Sequence, residues 1–236
     1  VVPFLVATVF FRVASVAVTA IPHPGVVPKK EPVTLERVFA GAKFIRSKPV
    51  MLGTISLDLF AVLLGGATAL LPVFARDILH AGPFALGLLR TSPAIGALLM
   101  SLVIARYPLT HNVGKTMLIA VAIFGAATIV FAFSTNIVLS VLMLLILGAS
   151  DTISVVVRTT LVQLLTPDGM RGRVNAINSL FIGTSNQLGE FESGVLASLL
   201  GPIWAVAAGG VGTIAVVLLW TKLFPALPKV QTFGEN

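Results

Sequence analysis

Residues 50–75, VMLGTISLDLFAVLLGGATALLPVFA, decide the fold class of this chain. A hydrocarbon core about 30 Å thick needs roughly 20 apolar residues in a helix, and this stretch offers them with Asp58 as its one ionisable residue. Similar stretches recur along the chain, separated by turn-forming residues. We therefore predict an all-α membrane protein with seven transmembrane helices, over residues 2–21, 50–75, 83–106, 115–133, 136–165, 172–200 and 202–224.

The composition supports a membrane protein. Of the 236 residues, 56% are hydrophobic and only 11% charged, with a mean hydropathy of +1.02, whereas soluble domains carry about 25% charged residues. The chain also has no cysteine, which excludes disulfides, a thiol nucleophile and thiolate metal sites.

The basic residues alternate between the connections that flank the predicted spans. Twelve Lys and Arg residues fall in the connections of one side and only Arg76 in those of the other. By the positive-inside rule the rich side is cytoplasmic. We therefore expect a multi-pass protein of the cell inner (plasma) membrane, with the 22–49 loop and the C-terminus in the cytoplasm. The net charge of +7 is explained by this orientation, and no nucleic-acid partner is expected.

The 22–49 connection is the only long one. Its apolar residues recur at helical spacing from Leu35 to Ile45, Thr34 is placed to cap the start, and Pro49 ends the pattern. The pattern predicts an amphipathic helix, which either lies on the cytoplasmic membrane surface or packs against the helix bundle.

Ionisable residues inside a membrane are costly, so their positions mark functional or structural sites. Spans 115–133 and 202–224 hold none apart from Lys115 and Lys222, which belong to the connections at their ends, and we expect these two spans to face lipid while their neighbours surround a polar route. The last six spans thus divide into two triplets of the same polar-polar-apolar pattern, as an inverted repeat would give. The seven ionisable residues in the interior of the predicted spans are Arg12, Asp58, Arg90, Asp151, Arg158, Glu190 and Glu192.

A depth estimate of about 1.5 Å per helical residue places Asp58 level with Arg158, so an ion pair can form between them. Such a pair either locks helices together or opens and closes as a gate. Arg90 and Glu190 form a second set in the outer halves of their spans. Asp151 lies on nearly the same helix face as Arg158, and Asp151 and Glu190 are the candidates for a proton carrier. The transport-pathway or gating candidates are Asp58, Arg90, Asp151, Arg158 and Glu190.

The sequence lacks the constellations of an enzyme. The histidines, His23, His80 and His111, fall in different loops, so neither a catalytic base inside the membrane nor a metal site is predicted, and no cofactor is expected. The alternative to a transporter is a non-transport integral membrane protein, either a membrane-embedded enzyme or a scaffold. An enzyme would gather a nucleophile, a base and an orienting group at one depth, whereas these charges are spread over both halves of four spans.

Three segments resemble a known family: GAKFIRSKP (41–49), DTISVVVR with LVQL (151–164), and TPDGMRGRV (166–174). They are similar to the major facilitator superfamily, in its branch of enterobactin-exporter and macrolide-type efflux proteins, from about the sixth to the twelfth span. The resemblance implies alternating access between two six-span halves, a small-molecule substrate and proton-driven efflux.

The resemblance also implies a division of the chain. Residues 1–21 would be the last span of an N-terminal half whose other spans are missing, because the chain enters this span directly from Val1. Residues 22–49 would be the central cytoplasmic loop, 50–224 the C-terminal six-span half of a twelve-helix fold, and 225–236 a cytoplasmic tail. The lipid bilayer and the missing six-span half are then its partners.

The charge alternation makes a topology prediction. Reporter domains fused within 107–114 and within 166–173 should both be active in the cytoplasm, because both connections belong to the basic side. A reporter within 79–82 should be active on the opposite side. Reporters that place 107–114 and 166–173 on different sides of the membrane would contradict the predicted span count.

Overall fold

The computed structural model describes residues 2–19 and 35–233, and every regular element in those two ranges is helical. α1 belongs to one compact unit, and α2 to α9 form another. In chain order the elements are α1 Val2–Thr19, α2 Leu35–Ser47, α3 Pro49–Leu64, a 3-10 turn Ala67–Leu70, α4 Leu71–Val73, a π turn Phe74–Ile78, α5 Pro83–Arg106, α6 Val113–Ala132, α7 Ile137–Leu165, α8 Asp168–Leu200, α9 Pro202–Leu223 and a 3-10 turn Leu227–Lys229.

Five helical segments are long and apolar enough to cross a membrane: Pro49–Ile78, Pro83–Arg106, Val113–Ala132, Ile137–Leu165 and Pro202–Leu223. The other two predicted spans correspond to α1 and α8, which are not among these five. α1 is apolar along almost all of its length and includes the apolar helix Ala7–Thr19, and residues 20–21 lie outside the described ranges. α8 is long enough but too rich in polar residues.

The helix boundaries follow from local chemistry. The side-chain oxygen of Asn136 accepts hydrogen bonds from the backbone N–H groups of Val138 (2.8 Å) and Leu139 (3.4 Å), which caps the start of α7. Between α8 and α9 the chain turns at Gly201, whose φ of +85° strongly favours glycine. Pro202 then begins α9, where a missing N–H costs nothing.

The predicted span 50–75 is interrupted. α3 ends at Leu64, and Gly65 and Gly66 separate it from the short helical turns that follow. Two glycines in succession weaken a helix, and the packing here also requires them. A Cβ on Gly65 would lie 2.6 Å from Cε1 of Phe124, and one on Gly66 would lie 2.7 Å from the carbonyl oxygen of Gly189 in α8. The break therefore lets α8 approach closely.

α2 packs against the bundle, in agreement with the second of the two interpretations of the 22–49 pattern. Ile45 is buried in a cluster with Met51, Ile55 and Ile177, and Gly41 lies against Ile177 and the backbone of Arg173 in α8. The expected cap, Thr34, lies outside the described residues. Pro49 becomes the first residue of α3, so the two helices meet almost without a linker.

Glycines also set the distance between the longer helices. α6 and α9 cross where a Cβ on Gly125 would lie 2.9 Å from the carbonyl oxygen of Gly210, and one on Gly210 would lie 2.7 Å from that of Gly125. α5 and α7 cross in the same way at Gly96 and Gly148, where an added Cβ would collide with the carbonyl groups of Leu145 and Pro93 respectively. Inside a membrane the hydrophobic effect does not drive helices together, so their association depends on close van der Waals packing, which small residues make possible.

α6 and α9, whose only charged residues are Lys115 and Lys222 near their ends, lie side by side and pack through this glycine contact. The large side chains that they expose are almost all apolar, including Ile119, Ile123 and Val130 of α6 and Val211 and Leu218 of α9. This surface suits the lipid-facing position that their sequences predict.

Replacement of glycine by alanine should have different effects at a helix crossing and at a position with open space. Gly96→Ala should destabilise the protein, because its Cβ meets the Leu145 carbonyl, and overpacking typically costs about 1–3 kcal/mol. Gly172→Ala, in α8 with open space around it, should be neutral or slightly stabilising. Thermal unfolding of each variant in the same detergent measures both effects, and a Gly96→Ala protein as stable as the parent would contradict the packing described here.

Candidate functional site

A buried ion pair joins α3 to α7. Nη1 of Arg158 lies 3.0 Å from Oδ2 of Asp58, with side-chain exposures of 4% and 7%. Nη1 of Arg158 also donates a hydrogen bond of 3.4 Å to Oδ1 of Asn178 in α8. The ion pair that the depth estimate allowed is therefore present, and a third helix contributes to it through a residue that carries no charge.

Two polar atoms beside the pair lack partners within the described residues. They are Nε of Arg158 and Oγ of Ser154, which lies one helical turn earlier on α7. Ser154 borders a small void together with Asp58, Asp151 and Ser150. The hydrogen-bonding capacity of this region is thus incompletely used, which is uncommon for buried polar groups.

A larger cavity of about 340 Å³ lies next to this void. It is formed where the glycine break after α3 faces α5, α6, α7 and α8, and Asp151 borders both spaces. The cavity is open on one side, where four of its bordering residues are exposed. Its walls are Val62, Gly65, Gly66, Thr68, Pro93, Ala94, Ala97, Phe124, Leu147, Gly148, Asp151, Asn186 and Glu190.

The cavity combines apolar walls with a few convergent polar groups, which is typical of small-molecule sites. Its polar side chains are two carboxylates, Asp151 and Glu190, together with the amide of Asn186 and the hydroxyl of Thr68. No Lys, Arg or His borders it. In the part of the chain that the structure describes, no group of three or more His, Asp or Glu side chains is placed to hold a metal ion.

The predicted site residues thus fall into three groups. Asp58 and Arg158 form the buried pair, and Asp151 and Glu190 border the cavity. Arg90 is exposed on α5 and does not border the cavity, and over residues 2–19 and 35–233 it forms no ion pair with Glu190. The functional roles of all five residues stay predictions.

Sequence reasoning based on charge missed the uncharged members of the site. Asn178 and Asn186 lie in α8, and Ser154 lies in α7, without any ionisable group to draw attention to them. The density of amide and hydroxyl side chains in 175–187 was a usable signal, because such residues are uncommon in a lipid-facing helix. From the sequence, Gly65 and Gly66 could be anticipated only as a break in the helix, and not as wall residues of the cavity.

Comparison with known proteins assigns the chain to a family. The family model described as transmembrane secretion effector, a branch of the major facilitator superfamily, matches residues 4–233. The chain belongs to the transmembrane secretion effector family. It is 27% identical over 206 residues to the enterobactin exporter EntS of Citrobacter koseri, covering 86% of this chain and 48% of that protein. It is 25% identical over 211 residues to EntS of Escherichia coli O1:K1, covering 89% of this chain and 49% of that protein.

The chain spans about half the length of the curated relatives that it matches. No solved structure matches it. Membership of the transmembrane secretion effector family, together with the apolar helices, makes the protein a multi-pass membrane protein of a transporter family.

The buried pair predicts a non-additive stability change. Asp58→Asn should destabilise the fold because it leaves the Arg158 charge buried and unpaired, and breaking such a pair costs about 3–5 kcal/mol. The double variant Asp58→Asn with Arg158→Gln should lose less, since no charge remains buried. Thermal unfolding in detergent distinguishes these cases.

The exposed pair of Asp168 and Arg171, 2.8 Å apart, provides the control. Asp168→Asn should leave the unfolding midpoint unchanged, because surface ion pairs contribute little. The single variant Arg158→Gln completes the comparison. If the double variant loses as much stability as Asp58→Asn and Arg158→Gln lose together, Asp58 and Arg158 are not a coupled pair.

Proposed function

We propose that this chain is part of a secondary active transporter that exports a siderophore or an amphipathic drug-like small molecule by alternating access. Proton antiport would drive the export. The observation that supports this most directly is the cavity at the broken helix, with Asp151 and Glu190 in its walls. Interrupted helices that border a polar cavity are a common construction for substrate sites in transporters.

The proposed architecture has two halves. Residues 1–21 would be the last span of one half and 50–224 the six spans of the other, with 22–49 and 225–236 in the cytoplasm. The match to about half of each exporter supports this division, and so does the excess of basic residues in alternate connections. A second half would close the open side of the cavity, where Thr68, Asn186 and Glu190 are exposed.

The route from the cavity to the buried pair suggests how a proton could change the structure. Asp151 borders both the cavity and the small void, and Asp58 borders that void from α3. A proton that reached Asp58 through this route would remove its attraction to Arg158. The Arg158 charge would then be buried without a counterion, which is costly, so protonation would favour a movement of α7 away from α3 that brings Arg158 to water or to another partner.

The alternative of a membrane-embedded enzyme or scaffold receives less support. A hydrolytic site would need a nucleophile next to a base. His80 lies in the connection that precedes α5, and His111 lies in the connection between α5 and α6. Neither histidine is part of a helix in the bundle. Ser154 and Ser150 have only the carboxylates of Asp58 and Asp151 as ionisable neighbours at the void.

Transport by the full-length gene product tests the proposal. In everted membrane vesicles energised to be acid inside, a fluorescent amphipathic substrate should accumulate, and dissipation of the pH gradient should abolish this uptake. Asp151→Asn and Glu190→Gln should each reduce the initial rate at least tenfold, because each removes a group able to exchange a proton at the cavity.

Glu192→Gln is the matched control, since Glu192 lies two residues from Glu190 on α8 without bordering the cavity. It should transport at the parental rate. Equal activity of the parent with and without a pH gradient would argue against proton antiport. Full activity of both Asp151→Asn and Glu190→Gln would remove these carboxylates from the mechanism.

A further inference from the structure

The walls of the cavity carry a charge of one sign. Asp151 contributes a carboxylate from α7 and Glu190 another from α8. The helices α5 and α6 contribute only Pro93, Ala94, Ala97 and Phe124, so no charge comes from those two sides. A ligand that enters this space therefore meets negative groups and no positive one.

The nearest cations are engaged or lie elsewhere. Arg158, seven residues after Asp151 on α7, is paired to Asp58 and hydrogen-bonded to Asn178. Arg90 lies one helical turn before Pro93 and Ala94 and is exposed, but it does not border the cavity. Over the described ranges, neither Asp151 nor Glu190 forms an ion pair with a protein side chain. Their charge is available to a ligand.

The remaining walls are apolar and include one aromatic ring. Phe124 reaches the cavity from α6, and Val62, Pro93 and Leu147 complete the apolar part. An aromatic ring attracts a cation through its face as well as by apolar contact. The volume of about 340 Å³ falls in the range of sites for drug-sized molecules.

From these observations we propose that the cavity binds amphipathic cations, such as hydrophobic amines and quaternary ammonium or phosphonium ions. The proposal rests on the proposed transport function and narrows its substrate class. An amphipathic cation satisfies both kinds of wall, because its positive centre compensates Asp151 and Glu190 while its apolar body contacts Phe124 and Leu147. An anion of the same shape would add a third like charge to a partly desolvated site, which is costly.

A matched pair of probes tests the sign of the charge. Tetraphenylphosphonium and tetraphenylborate have nearly the same size and shape and opposite charges. Their binding to the purified full-length gene product in a non-ionic detergent can be measured by equilibrium dialysis at pH 7.5. We expect tetraphenylphosphonium to bind at least tenfold more tightly than tetraphenylborate.

Variants locate the binding. Asp151→Asn and Glu190→Gln should each weaken tetraphenylphosphonium binding at least tenfold, and the double variant provides the background of probe taken up by the micelle. Glu192→Gln should bind like the parent. Because Glu190 is exposed, its substitution should not unfold the protein, and size-exclusion chromatography verifies this.

Equal affinity for the two probes, a preference for the borate, or binding that survives in the double variant would overturn the assignment of a cation site. These results would not affect proton-driven export, which the vesicle experiment tests with a separate readout. Conversely, selective binding of the phosphonium without any transport would support the site and count against the proposed function.

Discussion

The buried ion pair of Asp58 and Arg158 is the constraint on which the centre of the bundle depends. Two charges removed from water are tolerated only when each compensates the other, so α3 and α7 must meet at this depth. Asn178 extends the requirement to α8 through its contact with Arg158. Any movement that separates these helices must supply water or another partner to Arg158, and water, another partner or a proton to Asp58. The pair thus fixes one arrangement and sets the condition for leaving it.

The glycines provide what the ion pair cannot, namely contact distances short enough for apolar helices to hold together in lipid. At the crossings of α5 with α7 and of α6 with α9, backbone meets backbone because no side chain intervenes. At Gly65 and Gly66 the same property ends a helix. The cavity is a consequence, since its walls at the break are backbone and small residues, and the space that larger side chains would fill stays open beside Asp151 and Glu190.

Much of the fold could be predicted from the sequence, because hydrophobic length and turn residues are local signals. They predicted the boundaries of α5, α7 and α9 to within a few residues. Charge and depth predicted the contact of Asp58 with Arg158. The close packing at the interruption after Leu64 was beyond this reasoning, since it depends on how closely Phe124 and α8 approach. The same holds for Asn178, whose role arises from a contact with Arg158 twenty residues away in sequence.

α8 carries the strongest argument for a water-filled route. Its exposed side includes Asn175, Asn186, Gln187 and Glu190, and it fails the apolarity that the five membrane-crossing segments satisfy. Exposing such groups to lipid is costly, so this surface must face water or another part of a protein. A static scaffold would have no need to keep it hydrated. An alternating-access transporter needs a surface of this kind, because in turn it meets solvent, substrate and the opposing half. The mixture of polar and apolar residues that hides α8 from a hydropathy scale is the property that the proposed function requires.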